Sequence, residues 1–448
     1  MRFIQLVILI ITSLIGQRFL INNSSMSYTY QSQSLEKSYY VSRLGNNQNG
    51  RSWETAWNEL DQIDWDVIEP GDVIYLDGGS NQMEYDTNLE FGKSGQPNNP
   101  IRILVSDEAN HNGQVIFFGG RSNLLPYCYQ EDYDNIDSEQ LLSYGIRTED
   151  YDYIEIDGLN WSGIVIHGYG RSGIRIDRDS NNLTFKNIEI YNNGRAEYDE
   201  EEKNWTPDSA GVRLAGKNMT FRRVIIHDNG QDAFQSLFDK NNLSNFSLEQ
   251  SWLYNGRKHP TVDESSNYCT HTDGIQIYDG GIISGVNITE SVLGPGFTHN
   301  LILGQTITPS GAWAVVNDLF LQDVILAKAA DNNLNGYSGT NMHNWVLDHV
   351  TIHCPKTKGH CIRVYNSDHS VTNSVFYGSR LTFPDGLNRF ENNCIWQTTG
   401  FALGLNTDPD FLNVSDVDHF SLDDYTVQNP DCTGSRLTSI DQLLTLSD

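Results

Sequence analysis

The chain has 448 residues and carries 29 basic against 58 acidic side chains, a net charge of −29. A field of that sign repels nucleic-acid phosphates and anionic membrane surfaces, so neither is expected as a partner. Only 19% of residues are charged, and Tyr, Asn and Gly are abundant, which suits many short strands and turns better than long helices.

The chain opens with MRFIQLVILIITSLIGQ, one Arg followed by an apolar run from Ile4 to Ile15. The run is short for a bilayer span and matches a signal-peptide core, so residues 1–16 read as a signal peptide or, uncleaved, an N-terminal anchor. Secretion or display at the cell surface follows from that reading. Six cysteines (Cys128, Cys269, Cys354, Cys361, Cys394, Cys432) form an even set, which an oxidising compartment permits. Cys354 and Cys361 bracket CPKTKGHC and are the expected pair, with the other connectivity left open.

From residue 153 onward the sequence repeats. YIEIDGLNW (Tyr153), NLTFKNIEI (Asn182), NMTFRRVII (Asn218), NFSLEQSWL (Asn245), GVNITESVL (Gly285), DLFLQDVIL (Asp318) and NWVLDHVTI (Asn344) align beneath one another. In the second line the apolar positions are Leu183, Phe185, Ile188 and Ile190. They alternate, skip one step and alternate again, which predicts a strand bent so that one face stays inward. Asn182, Asn218 and Asn245 are also glycosylation sequons, but their shared repeat position gives them an architectural explanation first.

A shorter ladder precedes most of these lines: RSGIRID, SAGVRLA, QDAFQSL, HTDGIQI, THNLILG and GHCIRVY. Its inward residues are Ile174, Val212, Phe234, Ile275, Leu301 and Ile362. Between them Arg175, Arg213, Gln235, Gln276, Ile302 and Arg363 are expected to face out. Coils of 26 to 40 residues, measured between positions 154, 183, 219, 246, 286, 319 and 345, vary only in their loops. A solenoid tolerates that, because each coil pairs only with its neighbours. Short corners with no amphipathic helix between strands exclude a doubly wound fold.

The chain thus resembles the secreted right-handed parallel β-helix proteins of the pectin-lyase-like superfamily. YYVSRLGNNQNGRSWETAWNELDQI and EPGDVIYLDGG resemble their N-terminal segment, and NTDPDFLNVSDVDHFSLDD resembles their closing segment. The resemblance implies an all-β fold: a single β-helix with long loops on one side. It also implies an N-terminal capping helix bearing Trp57, Leu60 and Ile63. The expected divisions are a cap and first coils at 39–100, a β-helix at 101–400 and a closing segment at 401–448.

Polar residues of the short ladder supply the candidate site. Asp232 and Asp273 occupy equivalent positions, so in consecutive coils their carboxylates would start ~5 Å apart. Charges that close share a proton or a cation, or turn apart. The competing reading is that Asp before a small residue at a strand entrance accepts backbone N–H bonds. His271 lies beside Asp273, and Asp228 lies just before Asp232. Two long insertions flank the ladder, Gly194–Ser209, which is acidic, and Asn255–His271, which brings Arg257, Lys258 and His259.

Three functions fit. A polysaccharide lyase acting on uronate polymers would use Lys258 or His271, with Asp232 and Asp273, in β-elimination. Arg175, Arg213, Gln235, Gln276, Tyr278 and Arg257 would hold substrate. Asp228, Asp232 and Asp273 could hold a Ca²⁺ that neutralises the sugar carboxylate. A glycoside hydrolase would use Asp232 and Asp273 as a carboxylate pair. HTDGIQI resembles part of the polygalacturonase pattern, but His271 stands where that family has Asn and the next coil lacks its paired aspartates. A non-catalytic carbohydrate-binding or surface protein would need only the polar strip. The expected partner is a polysaccharide, and the expected state a monomer.

Overall fold

Alternating apolar residues become parallel strands in each coil. The computed structural model describes residues 36–120, 142–194, 210–236, 243–256, 272–277, 282–304, 315–327, 332–336, 341–353, 361–364, 368–378, 387–396 and 434–437, with strands 198–199, 204–205 and 381–382 and residues 329 and 432. Leu183, Phe185, Ile188 and Ile190 lie in one strand, Asn181–Tyr191, and all four are buried. It pairs in parallel with Lys217–His227, setting Leu183 opposite Met219, Phe185 opposite Phe221 and Ile188 opposite Val224.

The skipped step has a backbone cause. Asn187 adopts φ 58°, in the left-handed region, which turns the strand without sending its apolar face outward. Arg223, Gln250, Glu290, Asp323 and His349 make the same turn in the coils that follow, at φ 54°, 49°, 46°, 54° and 53°. A second left-handed corner opens each bent strand, at Asn182, Asn218, Asn245, Gly285, Asp318 and Asn344. Asn and Asp tolerate this region better than other side-chain-bearing residues. Here they also satisfy one another: Asn218 Nδ2 donates to Asn182 Oδ1 at 2.9 Å and Asn245 Nδ2 to Asn218 Oδ1 at 2.7 Å. Asn344 Nδ2 donates to Asp318 Oδ1 at 2.6 Å. The sequon asparagines are therefore placed by the architecture.

Among the described residues the strands build a twenty-stranded and a ten-stranded parallel sheet, with a small antiparallel ribbon pairing Tyr198–Asp199 with Asn204–Trp205 in the acidic insertion. The chain is a right-handed parallel β-helix, as expected. The ten-stranded sheet carries the short ladder, with Ile174, Val212, Phe234, Ile275, Leu301 and Ile362 in register. It also holds a rung that the sequence pattern hides: Leu334, in NNLNG, sits between Leu301 and Ile362. Phenylalanines fill the interior between the sheets. Phe185 stacks on Phe221 at 4.8 Å, and Phe234 meets Phe221 edge-on at 4.9 Å.

The expected capping helix does not form. Leu60–Gln62 is a single 3-10 turn, and Glu59 at its N-cap makes no side-chain capping bond. Trp57 is drawn instead into a bridge with Val41 and stacks on Tyr39, which leaves too few residues to offset helix nucleation. Trp57, Leu60 and Ile63 are nonetheless buried. No helix among the described residues is long and apolar enough to cross a membrane.

Near its C-terminus the chain runs back over the outside of the twenty-stranded sheet. Cys432 is bonded to Cys394. Ser435 N donates to Thr351 Oγ1 at 3.0 Å, Arg436 Nε donates to Asp323 Oδ1 at 2.7 Å, and Leu437 packs with Val292, Ile325 and Ala327. Cys361 is also disulfide-bonded. Cys354, its expected partner, lies outside the described residues.

Candidate active site

Residues that follow the inward positions of the ten-stranded sheet stand in one column, in the order Arg147, Arg175, Arg213, Gln235, Gln276, Ile302, Asn335 and Arg363. Their side chains point away from the apolar interior, as alternation requires. Three of the residues expected to face out are nonetheless covered: Arg213, Gln235 and Gln276 are buried, at 2%, 6% and 2% exposure. Alternation fixes only which side of the strand a residue takes, and here both sides are covered.

The buried members of the column are joined end to end. Arg213 donates through a terminal guanidinium nitrogen to Gln235 Oε1. Gln235 Nε2 donates to Gln276 Oε1 at 2.7 Å, and Gln276 Nε2 donates to Asp273 Oδ2 at 2.9 Å. Asp273 Oδ1 lies 2.8 Å from His299 Nδ1 and also accepts the His299 backbone N–H at 3.1 Å. Asp273 is fully buried and His299 is 7% exposed. Burying a carboxylate here is tolerable because two N–H donors and an imidazole compensate its lost hydration.

Asp232 and Asp273 are stacked in consecutive coils, as expected, since Phe234 is opposite Ile275. They do not open side by side toward a shared ligand. Asp232 Oδ1 accepts the backbone N–H of Asp273 at 2.7 Å, and Asp273 does the same for His299, so each carboxylate reaches along the axis to the next coil. Nor does Gly274 leave space beside Asp273, because a Cβ there would lie 2.5 Å from the Asn300 carbonyl oxygen.

The three calcium candidates, Asp228, Asp232 and Asp273, are engaged in hydrogen bonds. Asp228 sits at a corner after Lys217–His227, where Oδ2 lies 2.7 Å from His227 Nδ1 and Oδ1 accepts from Asn255 Nδ2 at 2.6 Å. Both oxygens of Asp273 receive N–H donors. Among the described residues no group of three or more His, Cys, Asp or Glu side chains is arranged to hold a metal ion. Carboxylate oxygens that already accept N–H bonds, as those of Asp228 and Asp273 do, are poorly disposed toward a hard cation that needs six to eight oxygens.

Arg175 is partly exposed, and its charge is engaged: Nε meets Asp177 Oδ1 at 3.1 Å and a terminal nitrogen donates to Tyr144 Oη at 2.7 Å. Arg257, Lys258, His259, His271 and Tyr278 lie outside the described residues. His299 was missed from sequence, although the signal was present. It stands two residues before inward Leu301, the same ladder position as Asp232 and Asp273.

A second polar cluster lies on the twenty-stranded sheet. His227 Nδ1 meets Asp228, and its Nε2 lies 3.0 Å from Glu189 Oε1. Its ring stacks between Tyr191 and Tyr254, at 5.2 Å and 4.7 Å. Burial alone would lower the His227 pKa, but the hydrogen bonds to Asp228 and Glu189 outweigh it and raise the value. Burial would raise Glu189, yet its bonds to His227 and Ser162 hold it below the usual carboxylate range. Burial and the two carboxylates push Tyr254 up to about 12.

No protein-family model matches the chain, and no curated protein matches it. Among solved structures it is similar to pectate lyase Pel9A, with 16% identity, a TM-score of 0.53 and 90% of each chain covered. It also aligns with a rhamnogalacturonan lyase at 13% identity and TM-score 0.44, over 91% of this chain and 98% of that one. A GH136 lacto-N-biosidase from Eubacterium ramulus aligns at 12% identity and TM-score 0.37, over 80% and 67%. The Pel9A likeness shows the fold.

Proposed function

We propose that the chain is an exported polysaccharide lyase that cleaves uronate polymers by β-elimination, with His299 as the base. The Asp273–His299 pair carries this reading. Asp273 accepts from Nδ1–H, which leaves the lone pair of the neutral imidazole on Nε2, the arrangement that a general base requires. In the reaction Nε2 takes the proton on the carbon bearing the uronate carboxyl. The C–H bonding pair forms the ring double bond as the glycosidic C–O bond breaks; the leaving oxygen takes a proton from water, and the protonated imidazole later returns its proton to solvent. Arg257 and Lys258, in the insertion before Asp273–Ile277, would neutralise the sugar carboxylate, and His271 and Tyr278, on either side of that strand, would contact the sugar. A Cys394–Cys432 disulfide fits an oxidising destination.

The hydrolase reading has less support, since paired carboxylates must flank a sugar, and Asp232 and Asp273 instead bind backbone N–H groups of the next coil. Incubation with polyuronates tests the proposal. Rising ultraviolet absorbance from new double bonds, lost in His299→Gln, supports it. New reducing ends without absorbance would overturn β-elimination.

A further inference from the structure

We infer that Arg213, Gln235 and Gln276 form a positioning relay that orients the Asp273–His299 pair from two coils away. The direction of the chain is fixed at its ends. A guanidinium only donates and a carboxylate only accepts, so each intervening amide has one orientation that satisfies both neighbours. Gln235 must turn its oxygen to Arg213 and its nitrogen to Gln276, and Gln276 must then turn its nitrogen to Asp273, as observed. All three side chains are buried, so water does not readily substitute for a missing link. Asp273 Oδ2 is thereby held by Gln276, which leaves Oδ1 aimed at His299 Nδ1. With the Arg213 end removed, either amide could flip, and Asp273 would lose its fixed presentation.

The chemical role rests on His299 being the base, but the relay has a readout independent of turnover. Nuclear magnetic resonance of the full chain with ¹⁵N-labelled histidine follows the His299 Nδ1–H proton, assigned by its loss in His299→Gln. Gln235 does not contact Asp273 in the relay, so Gln235→Met tests transmission rather than a local bond. The resonance is expected to shift and to exchange faster with water. Gln235→Glu keeps the shape and the Arg213 acceptor but replaces the donor to Gln276, and it should do the same. In turnover, both variants should lower kcat by roughly tenfold or more with KM little changed, the mark of misplaced rather than missing machinery.

An Nδ1–H resonance unmoved in both folded variants overturns the relay, whatever the activity. A resonance that moves in both supports it. If that happens while wild-type protein yields no unsaturated product, the relay stands and the lyase reading falls.

Discussion

Two columns of side chains face away from the apolar interior, one on each sheet, and the same register builds both. On the ten-stranded sheet the buried column residues Arg213, Gln235 and Gln276 lead by directed hydrogen bonds to Asp273 and His299 at the neighbouring ladder position. On the twenty-stranded sheet Phe118, His167, Tyr191, His227 and Tyr254 occupy one position in five successive coils and lie ring against ring. The first column has polarity: a cation at one end, an acid–imidazole pair at the other. In the second, Glu189 and Asp228 grip His227 from opposite sides, and Tyr191 and His227 each stack between two neighbours. Stacking coils makes a column from almost any side chain. Chemistry needs a column whose members differ.

The sharpest way to break this contrast is to disable each column in turn. Asp273→Asn should reduce turnover of a polyuronate at least a hundredfold, with His227→Gln near wild type. Comparable losses in both would mean that the columns are not divided between catalysis and stability. The next effect is on stability. Gln276→Leu removes the acceptor of the Gln235 amide and a donor to Asp273, and should cost about 1–3 kcal/mol in denaturant unfolding. Tyr191→Leu removes two stacking contacts but keeps apolar bulk, and should cost about 0.5–1.5 kcal/mol. Equal costs would remove the distinction between a hydrogen-bonded and a stacked column.

The smallest effect is in pH dependence. His227 has a raised pKa, so its contribution is fully present below pH 6.5 and fades as pH rises through the folded value. Glu189 has a lowered one, so its contribution is present above pH 4.5 and fades as pH falls through the folded value. The stability gap between wild type and His227→Gln should therefore be widest between pH 4.5 and 6.5. Thermal melts across pH check it, and a flat gap would show that the imidazole is held by stacking alone.

Much of the fold was legible in the sequence because the corners need particular residues. Asn, Asp or Gly opens each bent strand where the backbone turns left-handed, and the skipped apolar step marks the next turn. The coil around Leu334 escaped notice because asparagines replace its apolar neighbours. The capping helix failed because Trp57 found a strand partner, a long-range contact that local periodicity does not encode. At the site, the stacking of Asp232 over Asp273 followed from repeat phase. Their actual partners did not, since alternation cannot say whether a residue facing away from the core is wet or covered. Finding His299 required the ladder position to be followed into a coil chosen for its apolar residues.

The returning C-terminal segment changes how the solenoid can come apart. A terminal coil normally has a neighbour on one side only, so a stack of this kind frays from its ends. Here Cys432 and residues 435–437 are fastened at Cys394, Thr351, Asp323 and Val292, four points spread over five coils of the same wall. Peeling the end away therefore means releasing a brace anchored several storeys further in. What would be a loose hem becomes a seam.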